Sequence, residues 1–224
     1  YTWSGRLFTD WLRRCSRRTG MLIGAATYTA RGGEIYNTGL LADESGRIVL
    51  RYDKIHLPWD EAKVVTPGRE YTVAATRVGR VGFAICYDIL FPETSACLSV
   101  RGAQIILHPS AGYTLPDEQP DMGRNRLRVR ASDQFAALAY ASFSPVESGG
   151  PGGTCVIARN GDVLDAVPGK RVALAMGDAV SGGKRAWPND KPDGPDWDAV
   201  RRRCRHPETY GVLVGRGRRV GGEG

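Results

Sequence analysis

A cysteine that follows an apolar run is the residue of this sequence best placed to act as a nucleophile. Cys86 directly follows the run 81–85 and precedes a segment with helix signals. Backbone N–H groups at a strand-to-helix turn can stabilise a thiolate and a developing oxyanion. The alternative is that Cys86 is a small buried hydrophobic residue, because free cysteine is among the most buried residue types.

The other residue types limit the chemistry that could accompany this thiol. The chain has five cysteines and three histidines, widely scattered, with no Cys-x-x-Cys pair and no spacing that suits zinc. We therefore expect no metal and no histidine-based triad. The base that activates a nucleophile is expected among carboxylates or lysines.

The first half of the chain has the patterns of one helix followed by strands. Apolar residues at helical spacing predict an amphipathic helix over 8–18 that stops at Gly20. Apolar runs separated by turn residues then predict strands over 21–28, 35–41 and 48–52.

The second half alternates strand and helix patterns. Residues 71–85 predict two strands around Gly79, and the end of this run lacks alternation, which indicates a buried central strand. Pro92 suits the first turn of a helix that closes before Gly102. The remaining predicted elements are a strand at 105–107, a helix at 127–141, and strands at 155–158, 163–166 and 172–175.

The order of these elements predicts an α/β fold. Two strand-rich blocks with helices outside them correspond to two packed sheets in a four-layer αββα sandwich. A chain of 224 residues is long enough for one sizeable core, so we expect a single domain over 1–181. Gly, Pro and Asp become frequent beyond Ser181, which predicts an extended C-terminal arm and basic tail over 182–224 that packs on the domain or on a partner subunit of a homodimer or larger homo-oligomer.

Charge and hydropathy bear on the partners of the protein. The formal net charge of +7 comes largely from arginines near both ends of the chain. A basic tail could bind nucleic acid, but there is no interleaving of aromatic residues and no nucleic-acid-binding motif, so we expect no nucleic-acid partner. Because no long apolar run or signal-peptide layout is present, we expect a soluble, cytoplasmic protein that makes no use of a membrane.

Three ordered motifs carry a resemblance to a known family. Residues 82–93, GFAICYDILFPE, are similar to the nucleophile motif G-x-x-I-C-Y-D-x-x-F-P-E, and residues 51–58, RYDKIHLP, to the lysine motif Y-x-K-x-H-L. Glu61 precedes Gly68 by seven residues, as in the segment E-x-x-x-x-x-P-G. Together these motifs resemble the carbon-nitrogen hydrolases of the nitrilase superfamily, and weaker similarities extend from about residue 8 to residue 213.

The resemblance implies a role for each of these residues. Cys86 would be the nucleophile, Lys54 would face the oxyanion, and Glu61 would orient Lys54 and the attacking water. The further oxyanion or substrate-binding residues would be Tyr87, through its backbone N–H, together with His108 and Ser110. The implied reaction is hydrolysis of a non-peptide carbon-nitrogen bond through a cysteine thioester, without a cofactor. The alternative for Lys54 and Glu61 is an ordinary ion pair in a solvated position.

The residues after the nucleophile bear on the substrate. The pair Tyr87-Asp88 resembles the amidase and N-carbamoyl branches, whereas true nitrilases usually carry Trp-Glu at this place. The expected substrate is therefore a small linear amide or N-carbamoyl compound that releases ammonia or an amine, in preference to a nitrile. The competing hypothesis is a catalytically inactive relative that serves as a binding or scaffold protein.

Some positions depart from the family pattern. The motif R-A-x-E-N is present as Arg130 to Gln134, RASDQ, and Ala96 stands where an arginine is usual. In relatives the first catalytic glutamate ends a strand that precedes the helix predicted over 8–18, so its counterpart would precede Tyr1. We therefore expect that the sequence begins after this glutamate, that it lacks an N-terminal strand and helix, and that residues 1–224 by themselves are inactive.

Overall fold

The computed structural model describes residues 5–111, 122–142, 153–167, 173–179, 200, 203–210 and 213. The helices in this part of the chain are α1 (Gly5–Thr19), α2 (Pro92–Val100) and α3 (Met122–Gln134), with short 3₁₀ helices at Glu61–Lys63, Cys86–Leu90 and Pro207–Thr209. The strands are β1 (Ile23–Arg31), β2 (Glu34–Ala42), β3 (Ile48–Asp53), β4 (Val73–Thr76), β5 (Gly79–Phe83), β6 (Ile105–Ser110), β7 (Ala137–Ser142), β8 (Cys155–Ile157) and β9 (Val163–Ala166).

The first sheet has the antiparallel order β1-β2-β3 and carries α1 on one face. The apolar stripe of α1 places Leu12 against Leu40 and Ala42 of β2. Ser16, also fully buried, donates a hydrogen bond of 2.6 Å to the carbonyl of Asp43 in the turn after β2. The amphipathic helix expected from the sequence is thus confirmed.

The second sheet has the order β4-β5-β6-β7-β8-β9, in which β5, β6 and β7 are parallel and the outer pairs are antiparallel. The helices α2 and α3 cover one face of this sheet. Leu98 and Leu127 pack there against buried residues of the central strands, among them Ile106 and Leu138. Central parallel strands with both faces covered explain why the runs before Cys86 and His108 are apolar without alternation.

The two sheets pack face to face. Leu41, Leu50 and Tyr52 of the first sheet meet Val81, Phe83 and Ile85 of the second, all of them buried. At Gly39 a Cβ atom would lie 2.8 Å from Cγ of Phe83, so only glycine allows this close approach. The layers run α1, first sheet, second sheet, α2 with α3, which confirms the predicted αββα sandwich.

Two secondary-structure predictions were wrong. The helix expected over 127–141 ends at Gln134, and residues 137–142 form β7 between β6 and β8. A short apolar run has no periodicity that separates helix from strand, so its place inside the sheet decided the outcome. Residues 173–175, predicted as part of a strand, have no regular structure, and Val172 lies outside the described residues.

Contacts within the chain define two units, Tyr1–Gly182 and Gly183–Gly224. The described residues of the second unit include the 3₁₀ helix Pro207–Thr209, next to which His206 Nδ1 lies 2.8 Å from a Glu208 carboxylate oxygen. Of the arm and tail predicted over 182–224, residues 182–199 lie outside the described residues, and the packing on the domain or on a partner stays a prediction. In the described part of the chain, no helix has the length and hydropathy of a membrane span.

Candidate active site

Cys86 lies in a turn at the carboxyl end of a central strand. β5 ends at Phe83, Ala84 and Ile85 are buried, and Cys86 opens the 3₁₀ helix Cys86–Leu90 while remaining partly exposed. Its φ of +48° is in the left-handed region, which is uncommon for a residue other than glycine. β5 is shorter than expected, since it ends at Phe83 and not at residue 85, and a 3₁₀ helix lies between β5 and α2.

Lys54 and Glu61 form a buried ion pair. Lys54 follows β3, its side chain is only 2% exposed, and its Nζ contacts Oε2 of Glu61, whose side chain is 10% exposed. The other carboxylate oxygen of Glu61 accepts hydrogen bonds from Nδ2 of Asn37 at 2.7 Å and from the Tyr28 hydroxyl at 3.3 Å. Asn37 and Tyr28 fix the carboxylate of Glu61, and this carboxylate holds the ammonium of Lys54 in one place. A solvated position for this pair is excluded.

The backbone around Lys54 is held just as closely. The Lys54 N–H donates to the carbonyl of Asn37, and the Lys54 carbonyl accepts from the N–H of Gly68, both at 2.8 Å. A Cβ atom at residue 68 would lie 1.9 Å from the carbonyl oxygen of Asp53, which leaves no room for any side chain. The Pro-Gly pair of the third motif therefore fixes the segment that carries the lysine.

Tyr28 interacts with both the ion pair and the thiol, which therefore lie in one region of the molecule. Burial raises the pKa of the Tyr28 hydroxyl, and the negative charge of Glu61 and of a Cys86 thiolate raise it further. Tyr140 also has a raised pKa, first through burial, with a smaller contribution from Cys86. Cys86 is thus near enough to Tyr28 for their charges to interact, and Tyr28 binds Glu61, the ion-pair partner of Lys54.

The three residues expected to bind substrate, Tyr87, His108 and Ser110, have different surroundings. The ring of Tyr87 lies 5.4 Å from that of Phe91 and 6.5 Å from that of Trp59, between centroids. Ser110 ends β6 and its side chain is hydrogen bonded to that of Tyr140.

His108 is buried, with 2% of its surface exposed, and its ring stacks on that of Tyr140 at 5.1 Å. Its Nδ1 lies 2.7 Å from the carbonyl oxygen of Ala84, so this nitrogen carries the proton. Burial is the largest effect on the pKa of His108 and lowers it. That hydrogen bond and the charge of Asp88 raise it, the charge of Lys54 lowers it slightly, and the resulting pKa is about 4. The imidazole is therefore neutral at physiological pH. Among the described residues, no group of three or more His, Cys, Asp or Glu side chains is placed to hold a metal ion.

The family model of the carbon-nitrogen hydrolases matches residues 3–174 of this chain. The chain belongs to the carbon-nitrogen hydrolase family. Among curated proteins, this carbon-nitrogen hydrolase is 42% identical over 87 residues to a deaminated glutathione amidase of Dictyostelium discoideum, a match that covers 34% of the chain and 30% of the relative. It is 31% identical over 156 residues to a chloroplastic omega-amidase of Arabidopsis thaliana, covering 65% of the chain and 41% of the relative. The chain thus spans less than half the length of either relative.

A solved structure with the same fold is that of an amidase from Nesterenkonia sp. AN1. The TM-score is 0.67 and the sequence identity 26%, and the match covers 74% of this chain and 66% of that one. The matched structure is a glutamate-to-glutamine variant in which acrylamide has added to the active-site cysteine by Michael addition.

Several site residues of this carbon-nitrogen hydrolase have no role assigned from the sequence. Tyr28 and Asn37, which bind Glu61, belong to strands β1 and β2 and lie outside the three motifs. Asp88 lies inside the segment 82–93, and the family resemblance gives it no role of its own. Arg130, from the divergent helix motif, donates from Nε to the carbonyl of Ile89 at 3.3 Å and so holds the end of the 3₁₀ helix that begins at Cys86.

Proposed function

We propose that this carbon-nitrogen hydrolase is an amidase that cleaves a small linear amide or N-carbamoyl compound, with Cys86 as the nucleophile. The observation that carries the proposal is the buried pair of Lys54 and Glu61 in the region of a partly exposed cysteine held at positive φ. Burying an ion pair costs desolvation free energy, and the truncation of one partner typically costs about 3–5 kcal/mol. Such a pair beside a thiol suits a reaction in which negative charge develops on a substrate oxygen.

The proposed reaction follows from this arrangement. The Cys86 sulfur attacks the amide carbon, the carbonyl electron pair moves onto oxygen, and the thiol proton passes to a carboxylate base, which the family resemblance implies to be a glutamate. The ammonium of Lys54 and the backbone N–H of Tyr87 stabilise the oxyanion, and each such donor is worth about 3 kcal/mol of barrier. The carbon-nitrogen bond then breaks, and the leaving amine takes the proton.

The second half of the reaction regenerates the enzyme. Water adds to the thioester carbonyl, the carbon-sulfur bond breaks, and the carboxylic acid and the thiol are released. Glu61 orients Lys54 throughout, while Asn37 and Tyr28 keep its carboxylate in place. The relatives named deaminated glutathione amidase and omega-amidase support an amide as the substrate. The Tyr87-Asp88 pair supports the same branch.

The first test is the site of covalent labelling. Acrylamide should add to Cys86 in preference to the other four cysteines of the folded chain, as measured by peptide mass spectrometry. Cys15, Cys97, Cys155 and Cys204 serve as internal controls in the same sample. Labelling of any of these four before Cys86 would refute the assignment of the nucleophile.

The second test isolates the oxyanion role of Lys54. Addition of a thiolate to acrylamide places negative charge on the carbonyl oxygen, whereas alkylation by iodoacetamide displaces iodide and leaves the carbonyl uncharged. Lys54→Met should therefore lower the ratio of the acrylamide rate to the iodoacetamide rate at Cys86 by about tenfold or more, about 1.4 kcal/mol of barrier. Lys63→Met is the matched control, because Lys63 is exposed and pairs with Asp60 at the surface. An unchanged ratio in Lys54→Met would contradict the proposed role.

Turnover provides the third test. Ammonia release from small amides and from carbamoyl amino acids, compared with nitriles, decides the substrate class. If the general base is the glutamate expected before Tyr1, residues 1–224 alone should turn over amides about a hundred- to ten-thousand-fold more slowly than a chain that includes it, since that is what a general base contributes. Equal rates for the two chains would contradict that expectation, and a nitrile as the best substrate would contradict the amidase assignment.

A further inference from the structure

Asp88 joins the two segments that carry the reactive side chains. Its side chain is fully buried, and its Oδ2 accepts hydrogen bonds from the Tyr52 hydroxyl at 2.7 Å and from the Ile85 N–H at 2.9 Å. Its Oδ1 accepts from the His56 N–H at 3.0 Å and lies 2.9 Å from Nδ1 of the same histidine. Ile85 immediately precedes Cys86, while the other two partners stand on either side of Lys54.

The nucleophile turn is closed from both directions by this residue. The Asp88 N–H donates to the carbonyl of Ile85 at 3.0 Å, and the Ile85 N–H donates back to the Asp88 carboxylate. Between these two bonds lies Cys86 with its φ of +48°. A residue in this region of backbone space persists only where its surroundings hold it there, at a cost of about 1–3 kcal/mol. The reciprocal bonds supply that restraint.

The lysine segment is held from the other side. The Tyr52 ring is buried between the sheets, and the imidazole of His56 stacks on Phe91 with centroids 3.8 Å apart. Each of these side chains is anchored by its own packing, so their hydrogen bonds to Asp88 fix the carboxylate relative to β3. A shift of the turn against β3 would have to break at least one of these bonds.

We propose that Asp88 is a positioning residue that ties the Cys86 turn to the Lys54 segment and so sets the distance between the nucleophile and the ammonium. The inference rests on the proposed function, because it takes Cys86 as the nucleophile and Lys54 as the residue that stabilises the oxyanion. It assigns no reaction step to Asp88 itself. A carboxylate suits this position because it only accepts hydrogen bonds, and all of its neighbours can donate. An amide does not, since in either orientation its NH₂ group would face a backbone N–H, of Ile85 or of His56.

The test uses the ratio of acrylamide to iodoacetamide rates at Cys86, which reports on the placement of oxyanion donors and not on the amount of folded protein. Asp88→Asn should lower this ratio by about tenfold, since a misplacement of about 1 Å can cost about a hundredfold in rate. Tyr52→Phe removes only the bond on the lysine side and leaves the ring in place, so it should lower the ratio in the same direction by a smaller factor. Near-ultraviolet circular dichroism establishes that each variant is folded.

Asp43→Asn is the matched control. Asp43 also lies in a turn, where its Oδ1 accepts from the N–H groups of Ser45 and Arg47 at 3.0 and 2.9 Å, but this turn joins β2 to β3 in the first sheet. The control should lose stability and keep the wild-type ratio. Two results would overturn the inference: a wild-type ratio in Asp88→Asn, or a lowered ratio in Asp88→Asn together with a wild-type ratio in folded Tyr52→Phe. Failure of the proposed function would be recognised separately, because Lys54→Met would then leave the ratio at its wild-type value.

Discussion

His108 should make the stability of this protein depend on pH in a window where few other groups titrate. Burial lowers its pKa from 6.5 to about 4 in the folded chain. Between these two values the unfolded chain binds a proton that the folded chain excludes, so the free energy of unfolding rises with pH. The contribution is complete above about pH 6.5 and is lost as the pH falls towards 4.

The size of the effect follows from the two pKa values. At about 1.4 kcal/mol per pKa unit, the difference between 6.5 and about 4 amounts to about 3 kcal/mol of unfolding free energy. That is a large part of the 5–15 kcal/mol that typically stabilises a domain, so the loss should be readily measured. His108→Asn removes the titration and keeps a side-chain N–H that can reach the carbonyl of Ala84.

The assay is urea unfolding, followed by circular dichroism, at intervals between pH 4.5 and 7.5. The difference in unfolding free energy between wild type and His108→Asn should change by about 2–3 kcal/mol over this range, because contributions common to both proteins cancel. His206→Asn is the control, since the side chain of His206 is 71% exposed, and its curve should run parallel to wild type. Parallel curves for wild type and His108→Asn would refute the reasoning, because they would mean that His108 takes up a proton equally well in both states.

Three further predictions concern the surroundings of the site. Gly68→Ala should lower the free energy of unfolding by about 1–3 kcal/mol, measured by urea unfolding, because its Cβ would meet the Asp53 carbonyl oxygen at 1.9 Å. It should also reduce the ratio of acrylamide to iodoacetamide rates at Cys86. Gly123→Ala, where a Cβ meets nothing within 4 Å, is the control, and equal effects of both variants would contradict the argument. Asn37→Ala should cost about 1–3 kcal/mol of stability by the same assay and lower the ratio, since a buried carboxylate loses a donor at 2.7 Å; an unchanged ratio would speak against that donor. Cys155, whose pKa is raised to about 11 by burial, should resist alkylation at pH 8 until the protein unfolds, and labelling of the native protein in a mass-spectrometric time course would show otherwise.

Local patterns predicted the elements whose signals lie within a few residues. The helical spacing of apolar residues predicted α1, and turn residues between apolar runs predicted the strands of the first sheet. The motifs around Cys86, Lys54 and Glu61 identified the candidate residues, because residue types at fixed spacing along one segment can be compared directly with a family pattern. Their arrangement in two sheets between helices followed from the order of the elements.

Tertiary packing decided what these patterns could not. Residues 137–142 have a composition that suits a helix or a strand. They form β7 because their backbone pairs with that of β6 in the sheet. Tyr28 and Asn37 reach Glu61 from positions 33 and 24 residues away, and Asp88 reaches Tyr52 across 36 residues. The type of a side chain shows that it can form hydrogen bonds. Which residue it binds is determined by how the sheets pack and by the glycines that allow their close approach. The turn at Cys86 depends on both local and tertiary contacts, because Asp88 closes it through local bonds with Ile85 while Asp88 itself is held by Tyr52 of β3.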